Sequence, residues 1–120
     1  MRLAIPVWNN KVSPVLDTAN RLLVVEVQGC KEVSRFETFL GEQGFLYRCF
    51  RLHAMGVDLL ICGALTRAFQ ENLKSNGIEV VQGVSGEAEK VLGAYLDGSL
   101  MQSDLFMPGF KPVGDAPSRP

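Results

Sequence analysis

Residues that could bind a ligand are concentrated in two short segments of this 120-residue chain. The first follows an apolar run and contains Trp8, Asn9, Asn10, Ser13 and Asp17. Asparagine tolerates the backbone of tight turns, and serine, asparagine and aspartate side chains on a loop can converge on a ligand. The segment from Trp8 to Asp17 is therefore the leading candidate for a binding site. The alternative is that Ser13 and Asp17 only cap local turns, while Trp8 covers the end of a sheet.

The second segment follows another apolar run and consists of Cys62, Gly63, Ala64, Leu65, Thr66 and Arg67. It places free backbone N–H groups at the start of a predicted helix, a position that favours anions, and Arg67 adds positive charge. A soft thiolate from Cys62 could bind a metal or a metal–sulfur cluster directly. The competing interpretation is structural, because most helix starts bind only water and Cys62 is predicted to be buried.

Two further candidates are weaker. The segment Val84-Ser85-Gly86 repeats the helix-start geometry, again with water as the alternative occupant. Cys49 and His53 are four residues apart on a predicted helix, a spacing that can place two metal ligands on one face. No third ligand is evident for them, and Cys49 also fits the apolar stripe of the helix. Cys30, Cys49 and Cys62 form no Cys-x-x-Cys pair, so we expect three reduced thiols.

Composition limits the classes of function. The chain is 47% apolar with a formal net charge of −1, which predicts one folded domain with a substantial core. The absence of a basic excess argues against nucleic acid as a partner. No apolar run approaches the roughly 20 residues of a membrane span, and no signal-peptide pattern is present. We therefore expect a cytoplasmic protein without membrane contact.

Hydrophobic periodicity predicts the elements that position these segments. Strands are predicted at 3–8, 21–28, 32–39, 57–62 and 78–81, and helices at 45–55, 66–76 and 85–97, with Thr66 and Ser85 as N-caps. The second half alternates strand and helix, which predicts parallel strands joined by right-handed crossovers. The first half is a meander, so the sheet should be mixed. The candidate loops should then gather at the carboxyl ends of the strands, where α/β sheets bind ligands.

Two local predictions complete this interpretation. In the first helix we place Phe45, Leu46, Cys49, Phe50, Leu52 and Met55 on the buried stripe, with Arg48 and Arg51 pointing away. Pro6 should lie near the end of the first strand, where a missing N–H is tolerated. Residues 1–98 form the predicted domain. Residues 99–120 form a tail that we expect to be partly disordered, although the apolar stretch Leu105–Phe110 should dock on this domain or on a partner.

Four segments together resemble a known family: Ala4-Ile-Pro-Val7, Val12-Ser-Pro14, Leu22-Leu-Val-Val25 and Val57-Asp-Leu-Leu-Ile-Cys-Gly63. In this order they are similar to the dinitrogenase iron–molybdenum cofactor biosynthesis family, over roughly residues 1–96. The resemblance implies a ribonuclease H-like α/β fold. It implies a five-stranded mixed sheet, in the order 3-2-1-4-5, with helices on both faces. It also implies a small carrier of an iron–molybdenum or iron–sulfur type cluster.

This chain departs from the family pattern at both candidate loops. Where the family commonly has Ser-Pro-x-Phe-Gly, Leu16 and Asp17 occupy the last two positions. Where it has Cys-Gly-Gly-x-Gly, this chain has Ala64 and Thr66 in place of the last two glycines. These side chains fill space that glycine leaves open, which favours a smaller or more polar ligand than a bulky cluster.

The first functional hypothesis is non-enzymatic. The protein would bind a metal–sulfur cluster, or a related anionic metal species, between the two segments and pass it to a cofactor-synthesis or acceptor protein. The second hypothesis is a regulatory or scaffold module without a cluster, which binds a partner or a second copy through the hairpin edge at 32–39 or through the tail. A nuclease is rejected because the first strand lacks the metal-binding acid that ribonuclease H-like nucleases need. No general base with a partner is visible, so we predict no enzyme activity.

Overall fold

The structure is a computed structural model that describes residues 1–41 and 44–107 and, for Phe45, the backbone only. Its elements follow the predicted order. The strands are β1 (Arg2–Trp8), β2 (Lys11–Val12), β3 (Arg21–Gln28), β4 (Lys31–Phe39), β5 (Leu59–Ile61) and β6 (Glu79–Val81). The helices are α1 (Phe45–Ala54), α2 (Arg67–Ser75) and α3 (Ala88–Leu96), with short 3₁₀ turns at Leu16–Thr18 and Leu100–Gln102.

The strands form one mixed sheet in the order β4-β3-β1-β5-β6, with β2 paired to β1. β1, β3 and β4 are antiparallel neighbours, and β5 is parallel to β1 and β6. The five predicted strands thus lie in the expected order, but the strand count of five was wrong. The sixth strand, β2, has two residues and is too short to produce a hydrophobic period.

β2 exists because of the turn that precedes it. Asn9 and Asn10 both have positive φ, 51° and 64°. Two consecutive residues in this conformation form the tight turn whose twist matches an antiparallel hairpin, and asparagine is among the residues that adopt it most readily. The chain therefore folds straight back, pairing Val7 with Val12. Pro6 lies just before this point, after the last β1–β5 pair at Ala4, so its missing N–H disrupts no ladder to β5.

Helices cover both faces of the sheet. Alternate residues of β1 point to opposite sides: Leu3 and Ile5 pack in one cluster with Val91 of α3, and Ala4 packs in the other with Leu52 of α1. α2 shares the α1 side. Because strand side chains alternate between faces, one central strand supplies both cores.

The predicted stripe of α1 is confirmed for Cys49 and Leu52, which are buried, but it was wrong for three other residues. Arg48 is only 2% exposed, whereas Leu46 and Phe50 are 66% and 63% exposed. The Arg48 guanidinium donates hydrogen bonds to the carbonyl oxygens of Ala19 and, at 2.9 Å, of Gly41. Burying a charged group is tolerated when its hydrogen bonds are made, and here they tie the helix to the loops flanking β3 and β4. Burial lowers the pKa of Arg48, and the negative charge of Asp17 opposes this shift.

One of the two predicted helix caps is confirmed. Thr66 is the N-cap of α2, and its hydroxyl accepts a hydrogen bond from the N–H of Phe69 at 3.3 Å. Ser85 does not cap α3. That helix begins at Ala88 with Glu87 as its N-cap, and the Ser85 N–H donates to the Leu105 carbonyl at 3.0 Å. The tail therefore pairs with the backbone of Ser85 before the helix begins.

The described part of the tail docks on its own domain. Leu105 and Phe106 pack against the core on the α3 side, and the Met107 N–H donates to the Gly83 carbonyl at 2.7 Å. Residues 108–120, which include Phe110 and the predicted disordered end, lie outside the described residues. Within the ranges that are described, no helix is long and apolar enough to cross a bilayer.

Candidate ligand-binding site

The two predicted segments lie side by side and are hydrogen-bonded to each other. The Ala64 N–H donates to the Pro14 carbonyl, and the Leu16 N–H donates to the Ala64 carbonyl, both at 2.8 Å. Val15 and Ala64 form a parallel bridge. We call residues 13–17 together with residues 62–67 the loop junction. Its two loops face each other as predicted, but they meet through backbone hydrogen bonds.

Gly63 shows how close this contact is. A Cβ atom placed on Gly63 would lie 2.4 Å from the Pro14 carbonyl oxygen and 2.7 Å from that of Ser13. Such distances are far below van der Waals contact, so only glycine fits between these backbones. Ser13 is itself buried, and its hydroxyl lies 3.5 Å from the Val15 carbonyl oxygen. The two loops therefore leave no space for a ligand at this point.

Asp17 occupies the start of helix α2. One carboxylate oxygen accepts from the N–H of Thr66 and the other from its hydroxyl, both at 3.3 Å. A negative charge at this position is stabilised by the helix dipole, and here the protein supplies that charge itself. The protein's own carboxylate is thus already bonded at the helix start that was predicted to attract an anion. Arg67, the next residue, is exposed, and Leu65 packs partly against the core.

Cys62 is fully buried in the core on the α1–α2 side. Burial, with a smaller contribution from the charge of Asp17, raises the pKa of its thiol to about 12. Cys49 is similar, with a pKa raised to about 11, chiefly by burial. Since the thiolate is the form that binds metals, both side chains are neutral thiols at physiological pH in this conformation. Direct ligation by Cys62 would require the loop junction to open.

The open site lies beside the junction. Trp8, Asn9 and Asn10 line a cavity of about 330 Å³, together with Arg21 of β3, Arg35 and Glu37 of β4 and Glu89 of α3. We call this cavity the polar pocket. One of its walls is anchored by backbone contacts, because the Asn10 carbonyl accepts from the N–H of Ala88 at 2.9 Å. Three of the predicted site residues thus line a solvent-accessible pocket whose other polar residues the sequence did not reveal.

The two arginines of the polar pocket differ in how strongly they are paired with carboxylates. Arg35 donates to the Glu89 carboxylate at 2.5 and 3.0 Å and also forms an ion pair with Glu32. These contacts raise the pKa of Arg35 and lower those of both carboxyl groups. Arg21, in contrast, lies 3.9 Å from the Glu37 carboxylate, and both side chains are more than half exposed. Arg21 is therefore the pocket cation best able to exchange its partner for an anionic ligand.

Sequence reasoning missed Arg21, Arg35 and Glu89 because they come from three separate elements. A signal was present for Arg21, Arg35 and Glu37, because their strands are the two arms of a predicted hairpin. Nothing in the linear pattern indicates that α3 brings Glu89 to Arg35 across 54 residues. Such a pairing depends on how the helix crosses the sheet.

The third candidate loop also reaches this end of the sheet. The N–H groups of Gly83 and Val84 donate to the carbonyls of Gly63 and Cys62, both at 2.9 Å. The predicted gathering of the three loops is therefore observed. The segment Val84-Ser85-Gly86 is not open, however, because the side chain of Leu105 lies against Gly86.

The metal-ligand candidates do not assemble. Cys49 and His53 both line a groove of about 210 Å³ between α1 and α2, with Asn72 and Asn76. Across the described ranges, no three His, Cys, Asp or Glu side chains are grouped so that they could hold a metal ion. Cys30 is exposed in the β3–β4 turn.

Solved structures share this fold. The crystal structure of PH0822 superposes with a TM-score of 0.78 at 23% identity, covering 82% of this chain and 90% of that one. The apo form of the orange protein from Desulfovibrio gigas gives a TM-score of 0.70 at 20% identity, covering 82% and 88%. At such identities the likeness concerns the fold. A search of curated proteins finds no match.

The family model for the dinitrogenase iron-molybdenum cofactor matches residues 1–98. The chain belongs to this family, and the resemblance inferred from its sequence is confirmed. The matched region contains the whole loop junction and every residue named above for the polar pocket. Membership in this family links the chain to proteins that handle this cofactor and suggests a cofactor-related carrier role.

Proposed function

We propose that this protein is a non-enzymatic carrier that binds an iron–molybdenum or iron–sulfur type cluster, or a related anionic metal species, as cargo. The observation that carries this proposal is the family match over residues 1–98. The cargo would pass to or from a cofactor-synthesis or acceptor protein. The cytoplasmic location, the ribonuclease H-like classification and a domain boundary at Gly98 remain parts of the same proposal.

The binding site is proposed at the carboxyl end of the sheet, between Trp8–Asp17 and Cys62–Arg67, with the polar pocket as its accessible part. Such cargo carries negative charge, and Arg21 offers a positive charge whose ion pair with Glu37 is long and exposed. Asn9 and Asn10 add amide groups that can donate hydrogen bonds to sulfide or oxide ligands. Charge-assisted hydrogen bonds of this kind are roughly twice as strong as hydrogen bonds between neutral groups.

Cys62 is the proposed direct ligand, and its burial sets a condition. Its thiol becomes available only when the loops around Asp17 and Gly63 separate and the proton is lost. Cargo held by Cys62 would therefore load slowly, and its loading rate would rise with pH. Cargo held only by Arg21 and the amides would load quickly. Binding through Cys62 therefore requires the loops to open, whereas binding through Arg21 and the amides does not.

Anaerobic reconstitution with iron and sulfide, with and without molybdate, tests the proposal. Metal content and visible absorption of the desalted protein are compared in the wild type, Arg21→Gln, Asp17→Ala and Cys62→Ala, with Cys30→Ser as the matched thiol control. We expect stoichiometric metal in the wild type and Cys30→Ser, and a roughly tenfold weaker retention in Arg21→Gln. Metal lost only in Cys62→Ala would assign the ligand to the thiol. Colourless wild-type protein in every condition would contradict a cluster that assembles on this protein from iron and sulfide, leave a preformed cofactor as the cargo to supply, and favour the alternative function below.

The alternative function is a regulatory or scaffold module of the same fold with no bound cluster. The observation that favours it is the exposed edge strand β4, where Val33, Phe36 and Phe39 are each at least half exposed. The described part of the tail contributes less to this alternative than expected, because Leu105 and Phe106 pack on their own domain. A wild type that retains no metal on reconstitution, yet binds a partner protein after the tail beyond Met107 is removed, would support the module over the carrier.

A further inference from the structure

The free edge of the sheet is a nine-residue strand with an unused row of backbone groups. β4 pairs with β3 on one side, and on the other side no strand of the described ranges pairs with it. Most of its residues are exposed, including three large apolar side chains. Long edge strands are usually blunted, because their free N–H and C=O groups recruit other strands. β4 carries charged side chains and a bulge, two features that blunt an edge, but residues 34–38 remain regular and could pair with another strand.

The hydrogen-bonding pattern identifies which backbone groups point outward. The Leu40 N–H donates to the Asn20 carbonyl at 2.6 Å, so residues 20 and 40 are a hydrogen-bonded pair. Because such pairs alternate along antiparallel strands, Phe36 and Thr38 also face β3. Arg35 and Glu37 then turn their N–H and C=O groups to the free edge. Phe39 does so too, and its carbonyl accepts a hydrogen bond from Arg51 at 3.2 Å.

The sequence of this strand is self-complementary about Phe36. If a second copy of β4 is laid antiparallel with Phe36 opposite Phe36, Arg35 faces Glu37, Ser34 faces Thr38 and Val33 faces Phe39. Arg35 and Glu37 are the outward residues, so they would form the hydrogen-bonded pairs of this ladder. Opposite charges, aromatic pairs and hydroxyl pairs across strands are each stabilising.

Neighbouring registers lack this complementarity. Because every second residue of β4 turns its N–H and C=O groups outward, the pairing between the two copies can shift only in steps of two residues. One shift places Arg35 opposite Arg35, and the other places Glu37 opposite Glu37. Like charges directly opposite each other are destabilising, so a single register is favoured.

We propose that two copies of this protein associate through β4, antiparallel about a two-fold axis at Phe36, to form one continuous sheet. The interface would also join the two polar pockets. Arg35 and Glu37 both line the pocket, on the α3 side of the sheet. In the dimer Glu37 of the second copy approaches Arg35, so each copy supplies a carboxylate to its neighbour's pocket. This inference does not depend on whether a cluster is the cargo.

The contact is expected to be weak. The ladder is limited at one end by the bulge between Glu26 and Val27, opposite Val33, and at the other by the Arg51 contact to Phe39. About five residues from each copy remain for regular pairing. Dimerisation should therefore appear at micromolar to millimolar concentrations.

Single cysteines test the register. In a Cys30→Ser background, Phe36→Cys places two thiols opposite each other across the axis, within the range that a disulfide bridges. We expect Phe36→Cys to form about tenfold more disulfide-linked dimer under mild oxidation than Ser34→Cys or Thr38→Cys alone. A mixture of Ser34→Cys and Thr38→Cys should crosslink, since these positions face each other. Equal, low crosslinking in all four samples would overturn the proposal.

Charge reversal provides an independent test without cysteines. Glu37→Arg alone places arginines opposite each other, and Arg35→Glu alone places glutamates opposite each other. Each variant should raise the dimer Kd roughly tenfold to hundredfold in sedimentation equilibrium. An equimolar mixture restores both opposite-charge pairs and should dimerise at least as well as the wild type.

Glu71→Arg carries the same charge change on exposed α2 and should leave the dimer Kd unaltered. Circular dichroism and thermal unfolding check that each variant is folded. A folded mixture that stays monomeric under conditions where the wild type dimerises would reject this register. A wild type that is monomeric at millimolar concentration would reject the dimer.

Discussion

The loop junction and the polar pocket are neighbours at one end of the sheet, yet they are built in opposite ways. In the junction, backbone groups of Pro14 and Ala64 satisfy each other and Asp17 fills the helix start. In the pocket, Arg21 remains largely exposed and the cavity is open to solvent. Residues that look like ligands in the sequence are used for structure in one region and are available in the other.

The difference has a physical cause. A backbone N–H that meets a carbonyl of the same protein has no capacity left for an anion, whereas a side chain on a strand surface keeps its hydrogen-bonding groups free. The junction should therefore control stability and the pocket should control binding. The four predictions that follow separate these roles.

The largest effect is expected for Gly63→Ala. The added Cβ would meet the Pro14 carbonyl oxygen at 2.4 Å, and both partners are backbone atoms that cannot rotate away. We expect a loss of roughly 2–4 kcal/mol in the free energy of unfolding, measured in urea. Gly93→Ala is the matched control, since nothing lies within 4 Å of that site on α3. It should gain roughly 0.5–1 kcal/mol from helix propensity. Equal stabilities of the two variants would mean that the junction is not closed.

The second effect concerns Cys62 and pH. Its pKa is raised to about 12 in the folded state, above the value in the unfolded chain. Below pH 9 the thiol is protonated in both states, and between about pH 9 and 12 only the unfolded state loses its proton. Stability should therefore fall as pH rises through this window, by up to about 1.4 kcal/mol per pH unit from this group.

Cys62→Ala should reduce the steepness of this decline, whatever its stability at neutral pH, with Cys30→Ser as the thiol-removal control. Urea unfolding between pH 8 and pH 10.5 measures the difference. An unchanged slope in Cys62→Ala would show that the thiol is accessible, and would bring it back as a ready ligand.

A smaller effect is expected for Asp17→Ala. It removes the two 3.3 Å contacts to Thr66 at the start of α2, which should cost about 1 kcal/mol in unfolding free energy. It also frees the helix start for an external anion. We expect molybdate or phosphate to raise the melting temperature of Asp17→Ala more than that of the wild type. No difference in this ligand-induced shift would mean that Asp17 does not block the site.

The smallest effect on stability is expected for Arg21→Gln. Its ion pair with Glu37 is long and exposed, so the unfolding free energy should change by no more than about 0.5 kcal/mol. Its weaker retention of metal would then be a binding effect. A large loss of stability would instead make Arg21 part of the structural framework and weaken its assignment as the pocket cation.

Several features were predictable because they depend on local pattern. The strand Arg21–Gln28 was predicted with its observed bounds, and the α2 cap at Thr66 followed from residue type. The proximity of the two candidate loops followed from the parallel arrangement of their strands. In each case a short window contains the information, since side-chain period and capping are set within a few residues.

The wrong predictions concern features that depend on contacts between distant segments. We predicted that Arg48 faces solvent because charged side chains usually do. Its burial is tolerated because the carbonyls of Ala19 and Gly41 accept hydrogen bonds from its guanidinium. Ser85 was expected to cap α3, but the helix begins only at Ala88, and the Ser85 N–H pairs with the carbonyl of Leu105, 20 positions away. Both outcomes depend on which hydrogen-bonding groups remain unsatisfied after distant segments pack, and no local pattern reports that.

The sequence by itself determined the family, the order of the elements and the residues that gather at one end of the sheet. Only the tertiary structure decided which of them remain available. It closed Gly63 against Pro14, buried the Cys62 thiol and assembled Arg21, Arg35 and Glu89 into a pocket. The physical reason is that residue type sets which hydrogen bonds and charges a group can offer. The packing of distant segments sets whether the protein or a ligand uses them.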